Sequence, residues 1–544
     1  MAQMALVIML LFVFTFSFQR FKLYTFESDN LFLFDSTWIK QHLFETGGVN
    51  LILTSFLTQF FKFPIVGAII TTIVYISIIY YIIEIARKIN GNASFTIISL
   101  LPIGFLMLCV EEPFYSFRGH ISLAICLIIT FVYLNNRALF AKFDAIFASL
   151  FSLLIYVLFG SVAWLFAILI IVKSICQHKF PTNGIIALIA LFICCTISYL
   201  CENFISVEEA ASPLQYYNWP TSYLTATCAW FSVILAIIIL VFANKLNNKH
   251  IESATLAVMI ISFGYGLNKI HKSDMAKMQH ESYLADNNCW DEIIKLNKRK
   301  PTKTKLISYV NLALAKQNLL LDRMFEFNQQ LPTQRTDSRI VRNEILRMES
   351  LVYFESGHLA QARKAAFNSV LITTGGVEPH DILRLIPINI AMGTKNVAQH
   401  YATTLNKTLF YSEPAKCALT DTNRILPSKS NFCELYGFAN DYREIVEADT
   451  QNVVAQQFHI AFILLSADKE KLRNYIETTK NANLHKRVQE ACTIMFTTDE
   501  CRQIGVTEKV INEFEALKNG EKIADFYRTY WYYIAYLNTT MKKQ

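Results

Sequence analysis

Residues Ile65 to Ile83 read IVGAIITTIVYISIIYYII, a run without a single charged side chain. A helix needs about 20 apolar residues to cross the roughly 30 Å hydrocarbon core of a bilayer, so this stretch decides the class of the chain. Comparable runs lie on both sides of it, from Ala5 to Phe18, from Ile185 to Tyr199 and from Ser232 to Ala243 with their flanks. They end at a seam near Lys269, after which the sequence turns charged and helical. Hydrophobic residues make up 53% of the chain and charged residues 17%, against about 25% charged in an ordinary soluble domain. The fold class expected is all-α, a polytopic transmembrane helix bundle over 1–270 followed by a soluble helical domain over 271–544.

Spans are expected at the first run and near 75, 102, 127, 150, 167, 192, 234 and 260, about nine in all. The first run lacks a preceding positive charge and a small-residue cleavage pattern, so it reads as an uncleaved helix. Between Ala145 and Val172 the apolar stretch is too long for one helix, and Gly160-Ser161 marks a tight hairpin. Basic pairs fall in alternate loops (Arg87 and Lys88, Arg137 and Lys142, Lys173 and Lys179, Lys245 and Lys249), which places those loops inside. Acids dominate the opposite loops, and that arrangement leaves the soluble domain outside. Lys269, Lys272 and Lys277 at the seam oppose it.

The net charge of +7 is spread thinly, with no basic-aromatic stripe, so nucleic acid is set aside as a partner. Twelve cysteines show no CxxC spacing, which argues against zinc. Cys492 and Cys501 could close a short disulfide loop in an oxidising compartment.

Two long outer loops are expected, at 19–62 and 202–225. The first holds Glu27-Ser28-Asp29, then a mixed stretch from Phe34 to Phe44 patterned as an interfacial helix, then Gly47-Gly48. The second turns from acidic to aromatic through Tyr216-Tyr217-Asn218-Trp219-Pro220. A shorter loop packs Glu111-Glu112 with Arg118 and His120 at the mouth of two helices. Carboxylates at an outer leaflet serve as general bases, as metal ligands or as solvated charges, and the last is commonest.

In the tail, Tyr353-Phe354-Glu355-Ser356-Gly357-His358-Leu359-Ala360-Gln361-Ala362 resembles the turn of a tetratricopeptide unit. Gly393-Thr394-Lys395-Asn396-Val397-Ala398 repeats it 36 residues later, with weaker echoes at 312–318 and 464–468. The tail is therefore expected to form a TPR-like α-solenoid, with the aromatic run Phe526 to Tyr536 as its cap.

Two family resemblances follow. The Glu-x-Asp form of Glu27-Ser28-Asp29, in the first outer loop, resembles the C-type glycosyltransferases, polytopic enzymes that move sugars from polyprenyl-phosphate donors. That resemblance implies Glu27 or Asp29 as the base activating an acceptor hydroxyl, with Glu111 or Glu112 assisting and Arg118 and His120 on the lipid phosphate. A divalent cation is the one cofactor it would bring. More of the chain is similar to an uncharacterised bacterial family of membrane proteins with TPR-like tails. Its likeness rests on Cys289-Trp290-Asp291-Glu292-Ile293-Ile294, Tyr309 to Lys316, Arg323-Met324-Phe325-Glu326-Phe327, Gly47-Gly48 and Phe56 to Phe61. It implies an inner-membrane bundle with a periplasmic repeat domain and no stated activity. The leading expectation is a membrane protein whose tail binds an envelope partner. The alternative is a lipid-linked glycosyltransferase, and the third is a transporter.

Overall fold

The computed structural model describes residues 2–29, 31–90, 97–112, 114–136, 143–201, 206–218, 222–242, 274–299, 304–330, 343–373, 378–420, 438–479, 483–523 and 525–541, with scattered positions between 253 and 268. Among the described residues the regular elements are all helices, joined in two places by single β-bridges. The chain separates into two compact units, one of Met1–Ala276 with Thr373–Pro379 and Lys407–Phe410, the other of Lys277–Ile372, His380–Asn406 and Tyr411–Gln544.

Among the described residues of the first unit five helices are long and apolar enough to cross a bilayer: Met4–Ser28, Pro64–Ile89, Arg118–Asn135, Thr182–Cys201 and Leu224–Phe242. Three further apolar helices are shorter, Ile97–Val110, Asp144–Phe159 and Ala163–Cys176. The span expected near 260 falls mostly outside the described residues. Pro64–Asn90 packs against Arg118–Asn135 and Leu224–Phe242, and Asp144–Phe159 packs against Thr182–Cys201. Where the sequence suggested a hairpin the chain does break, at Gly160, whose φ of 84° is the left-handed region that glycine enters freely. A Cβ there would collide with the Gln215 amide.

The segment 19–62 is largely helical rather than a loop, because the first helix does not stop at Arg20. It runs on as Arg20–Asp29 through a π-helical turn, Thr15–Gln19. Lys22, Thr25 and Glu27 turn inward and are buried, so tertiary packing rather than local polarity sets the helix length. Then comes Ser36–Leu43, where the interfacial helix was expected; the Asp35 side chain accepts from the Thr37 amide at 3.1 Å and caps it. Gly48–Thr58 follows after the left-handed Gly47. Lys407 pairs with Asp35 at 2.5 Å and holds its carboxyl down at about 2.

The second unit is a series of short helices joined by one recurring turn. After Asn343–Glu355, Gly357 takes a positive φ, and the His358 amide donates to the Tyr353 carbonyl at 2.8 Å before Leu359–Ile372 begins. The same pair of features, a left-handed residue followed by an amide bonded five residues back, recurs at Asn288, Asn318, Gly393, Gly505 and Gly520. This is the Schellman geometry that ends a helix and redirects the chain. Ala362 and Ala398, the small residues of the sequence motif, are both completely buried. Tyr530, Trp531 and Tyr533 of the C-terminal aromatic run are buried in this unit's core, where Trp531 Nε1 donates to the Glu490 carbonyl at 3.1 Å. Cys492 and Cys501 are buried free thiols and form no disulfide, which corrects that expectation.

Candidate functional site

One end of the bundle is built by stretches distant in sequence. The Leu101–Val110 helix ends at Glu111 and Glu112; the chain then turns through Phe114, which has a positive φ. Tyr115 forms an antiparallel bridge with Tyr217, with the Ser116 amide donating to the Tyr216 carbonyl at 2.9 Å and the Asn218 amide to Phe114 at 2.8 Å. The partner stretch is set by two serine caps: Ser206 accepts from the Glu209 amide and Ser212 from the Leu214 amide. Its far side bonds the hairpin turn. Gln215 Oε1 accepts from the Ser161 amide at 2.7 Å, Tyr216 OH accepts from the Val162 amide at 3.0 Å, and Ser161 Oγ donates to Ser212 at 2.8 Å. Gly47 joins through its amide to the Val157 carbonyl at 2.8 Å.

The residues singled out from the sequence sit around this end. Glu27 is completely buried, and the adjacent Phe26 ring lies 6.0 Å from that of Phe117. The Asp29 side chain lies outside the described residues. Glu111 is half-buried and accepts from Gln19 Nε2 at 3.1 Å, whereas Glu112 accepts from Tyr217 OH and Thr225 Oγ1, both at 2.5 Å. The two neighbouring carboxylates thus brace different partners. Arg118 donates from Nη2 to the Gln215 carbonyl at 3.3 Å, and its buried Nε has no acceptor among the described residues. His120 is completely buried, with Tyr115 OH 3.0 Å from Nδ1 and Tyr75 OH 3.4 Å from Nε2, and it stacks on Phe117 at 4.9 Å.

Burial pushes the phenols of Tyr115 and Tyr217 well above their ordinary range, and Tyr216 up to about 12. All three therefore stay neutral and act as hydrogen-bonding groups. Among the described residues no three His, Cys, Asp or Glu side chains converge as metal ligands. Gln19, Tyr75, Tyr115 and Gln215 escaped the sequence reading. The only signal for them was the aromatic and glycine content of the loops they tie.

The second unit offers a different kind of surface. Phe367 and Leu371, four apart on Leu359–Ile372, are 47% and 64% exposed, and Val397 on the next repeat is 42% exposed. Residues at that spacing share one helix face.

A family of unknown function, DUF6057, matches residues 1–537. The chain belongs to this family. No curated protein and no solved structure matches it. The match covers both units, and the family carries no stated activity.

Proposed function

We propose that this chain is a multi-pass protein of a bacterial inner membrane whose C-terminal unit, a TPR-like solenoid on the periplasmic face, binds an envelope protein. The observation that carries the reading is the recurring left-handed turn with its buried alanines, repeated at Gly357 and Gly393, next to the exposed Phe367–Leu371 stripe. Stacked helix pairs of this kind present extended surfaces to partners, and exposed apolar stripes mark where partners sit. Nine spans fit the five long helices, the three shorter ones and the stretch around 260. The shorter helices, at about 1.5 Å per residue, reach only some 21–24 Å, which flanking residues and local thinning accommodate. Alternating basic loops support the outward tail.

The test is a photoreactive side chain at Leu371 in the full-length protein in cells. The reading expects one discrete crosslinked envelope protein, lost in Phe367→Glu. A crosslink pattern unchanged by that substitution contradicts it.

A second reading, lipid-linked glycosyl transfer, is favoured by Glu27 alone. An ionisable group inside an apolar bundle costs free energy and is retained where it has work to do. In that reading Glu27 or Asp29 is the base, Glu111 or Glu112 assists, and a polyprenyl-phosphate-linked sugar is the donor. Glu27→Gln and Asp29→Asn would then abolish transfer with expression intact; full activity in both sinks it.

A further inference from the structure

A cavity of about 410 Å³ opens between the first helix and the Ile97–Val110 helix. Its walls are entirely apolar, among them Val7, Leu10, Phe14, Phe18, Ile103 and Met107. From Val7 to Phe18 the helix climbs about 16 Å at 1.5 Å per residue. That is about half of a 30 Å hydrocarbon core, the depth of one leaflet.

Two further observations lie directly beside the lining, next to Phe18 and Met107. The first helix is π-helical over Thr15–Gln19, immediately where Phe14 and Phe18 line the wall. Single π turns within α-helices are rare and concentrate at functional sites. Gln19, the last residue of that turn, is completely buried. Its Nε2 donates to the carbonyl of Met107, a wall residue, at 2.9 Å and to Glu111 Oε1 at 3.1 Å. Its Oε1 accepts from no donor among the described residues. A buried acceptor without a donor is costly, so it calls for hydrogen-bond donors.

We propose that the cavity is a lipid site holding one acyl chain of phosphatidylethanolamine, with the ammonium headgroup donating to Gln19 Oε1 and the Glu111 carboxylate. The chemistry selects among bilayer lipids. A choline headgroup carries the same charge but has no N–H to donate, and an anionic glycerol headgroup adds nothing to neutralise the carboxylate. The lining residues Leu10 and Val13 are themselves about half exposed, as are Leu6 and Met9 on the same helix, so a bilayer chain reaches the cavity sideways. The inference rests on neither reading of function given above.

The test is native mass spectrometry of the full-length protein in detergent, titrated with phosphatidylethanolamine, phosphatidylcholine and phosphatidylglycerol of identical chains. One phosphatidylethanolamine should be retained about tenfold more tightly than phosphatidylcholine, the effect of one charge-assisted hydrogen bond. Gln19→Leu should lower that preference, while Leu10→Trp, which fills the cavity, should abolish retention. Ile8→Trp, outside the lining, serves as the control for tryptophan itself, and Met107→Trp fills the cavity from the other wall if Leu10→Trp does not yield protein. Equal retention of the three lipids, retention that survives both filling variants, or tighter binding of a polyprenyl phosphate overturns the proposal.

Discussion

Replacing Gly357 and Gly393 by alanine, one at a time, tests whether the second unit is built from one repeated turn. Both glycines sit at left-handed φ, 84° and 78°. An L-residue there costs about 1–2 kcal/mol, so each variant should lose at least that. The surroundings then separate them. A Cβ at Gly393 meets nothing within 4 Å, whereas one at Gly357 meets Asn452 Nδ2 at 2.9 Å and Ile445 Cγ2 at 3.2 Å. Overpacking of that kind adds about 1–3 kcal/mol. Asn452 is also engaged, since its Oδ1 accepts from the Ala455 amide at 2.9 Å and caps the Val453–Ser466 helix, so moving it weakens a cap as well. Gly357→Ala should therefore cost about 2–5 kcal/mol and Gly393→Ala about 1–2 kcal/mol. For a unit of this size each kcal/mol lowers the melting temperature by roughly 2–4 °C. Pulse proteolysis of the tail in the full-length protein, followed against temperature, reads both numbers. Equal losses, or no loss at Gly393, would refute the shared-turn reasoning.

Two titratable side chains in the same unit, the partly buried His459 and the buried Glu490, set further outcomes. Burial, with Arg443 adding to it, pushes the His459 imidazole down to about 4. The native state then stays neutral while the unfolded chain takes up a proton below its ordinary value of about 6.5, so stability is full above that pH and falls as pH drops from 6.5 toward 4. The loss should be on the order of 2–3 kcal/mol, and His459→Gln should flatten the slope of melting temperature against pH in that window. Glu490 is completely buried, pairs with Arg487 at 2.5 Å and accepts from the Tyr530 amide at 2.8 Å. Arg487→Met leaves that carboxylate uncompensated and should cost about 3–5 kcal/mol, seen as proteolytic release of the Tyr530–Met541 helix.

Much of the architecture is legible locally. The hairpin at Gly160, the short helix after Asp35 and the turns at Gly357 and Gly393 each depend on a residue whose backbone or capping preference acts on its own neighbourhood. The echoes at 312–318 and 464–468 each hold a left-handed residue at or next to their end, Asn318 and Ala467. What escaped depends on distant contacts. Arg20 and Lys22 read as the end of a span, yet the helix continues to Asp29 because Lys22 and Glu27 find cover in the bundle. Glu111 and Glu112 read as one paired motif, but long-range partners draw them apart, Gln19 to one and Tyr217 with Thr225 to the other. Cys492 and Cys501 read as a potential disulfide; both are instead absorbed as small apolar groups in a core.

An envelope-facing binding surface requires the second unit to lie outside the membrane's inner face. Cys417 is exposed on the Ser412–Thr420 helix, so a full-length variant keeping only that cysteine reports its side of the bilayer. A membrane-impermeant thiol reagent added to intact spheroplasts should label it, while a variant keeping only Cys176, the last residue of the Ala163–Cys176 helix at the end expected inside, should label only after lysis. Labelling of Cys417 that appears only on lysis would put the unit in the cytoplasm and contradict an envelope-facing binding surface.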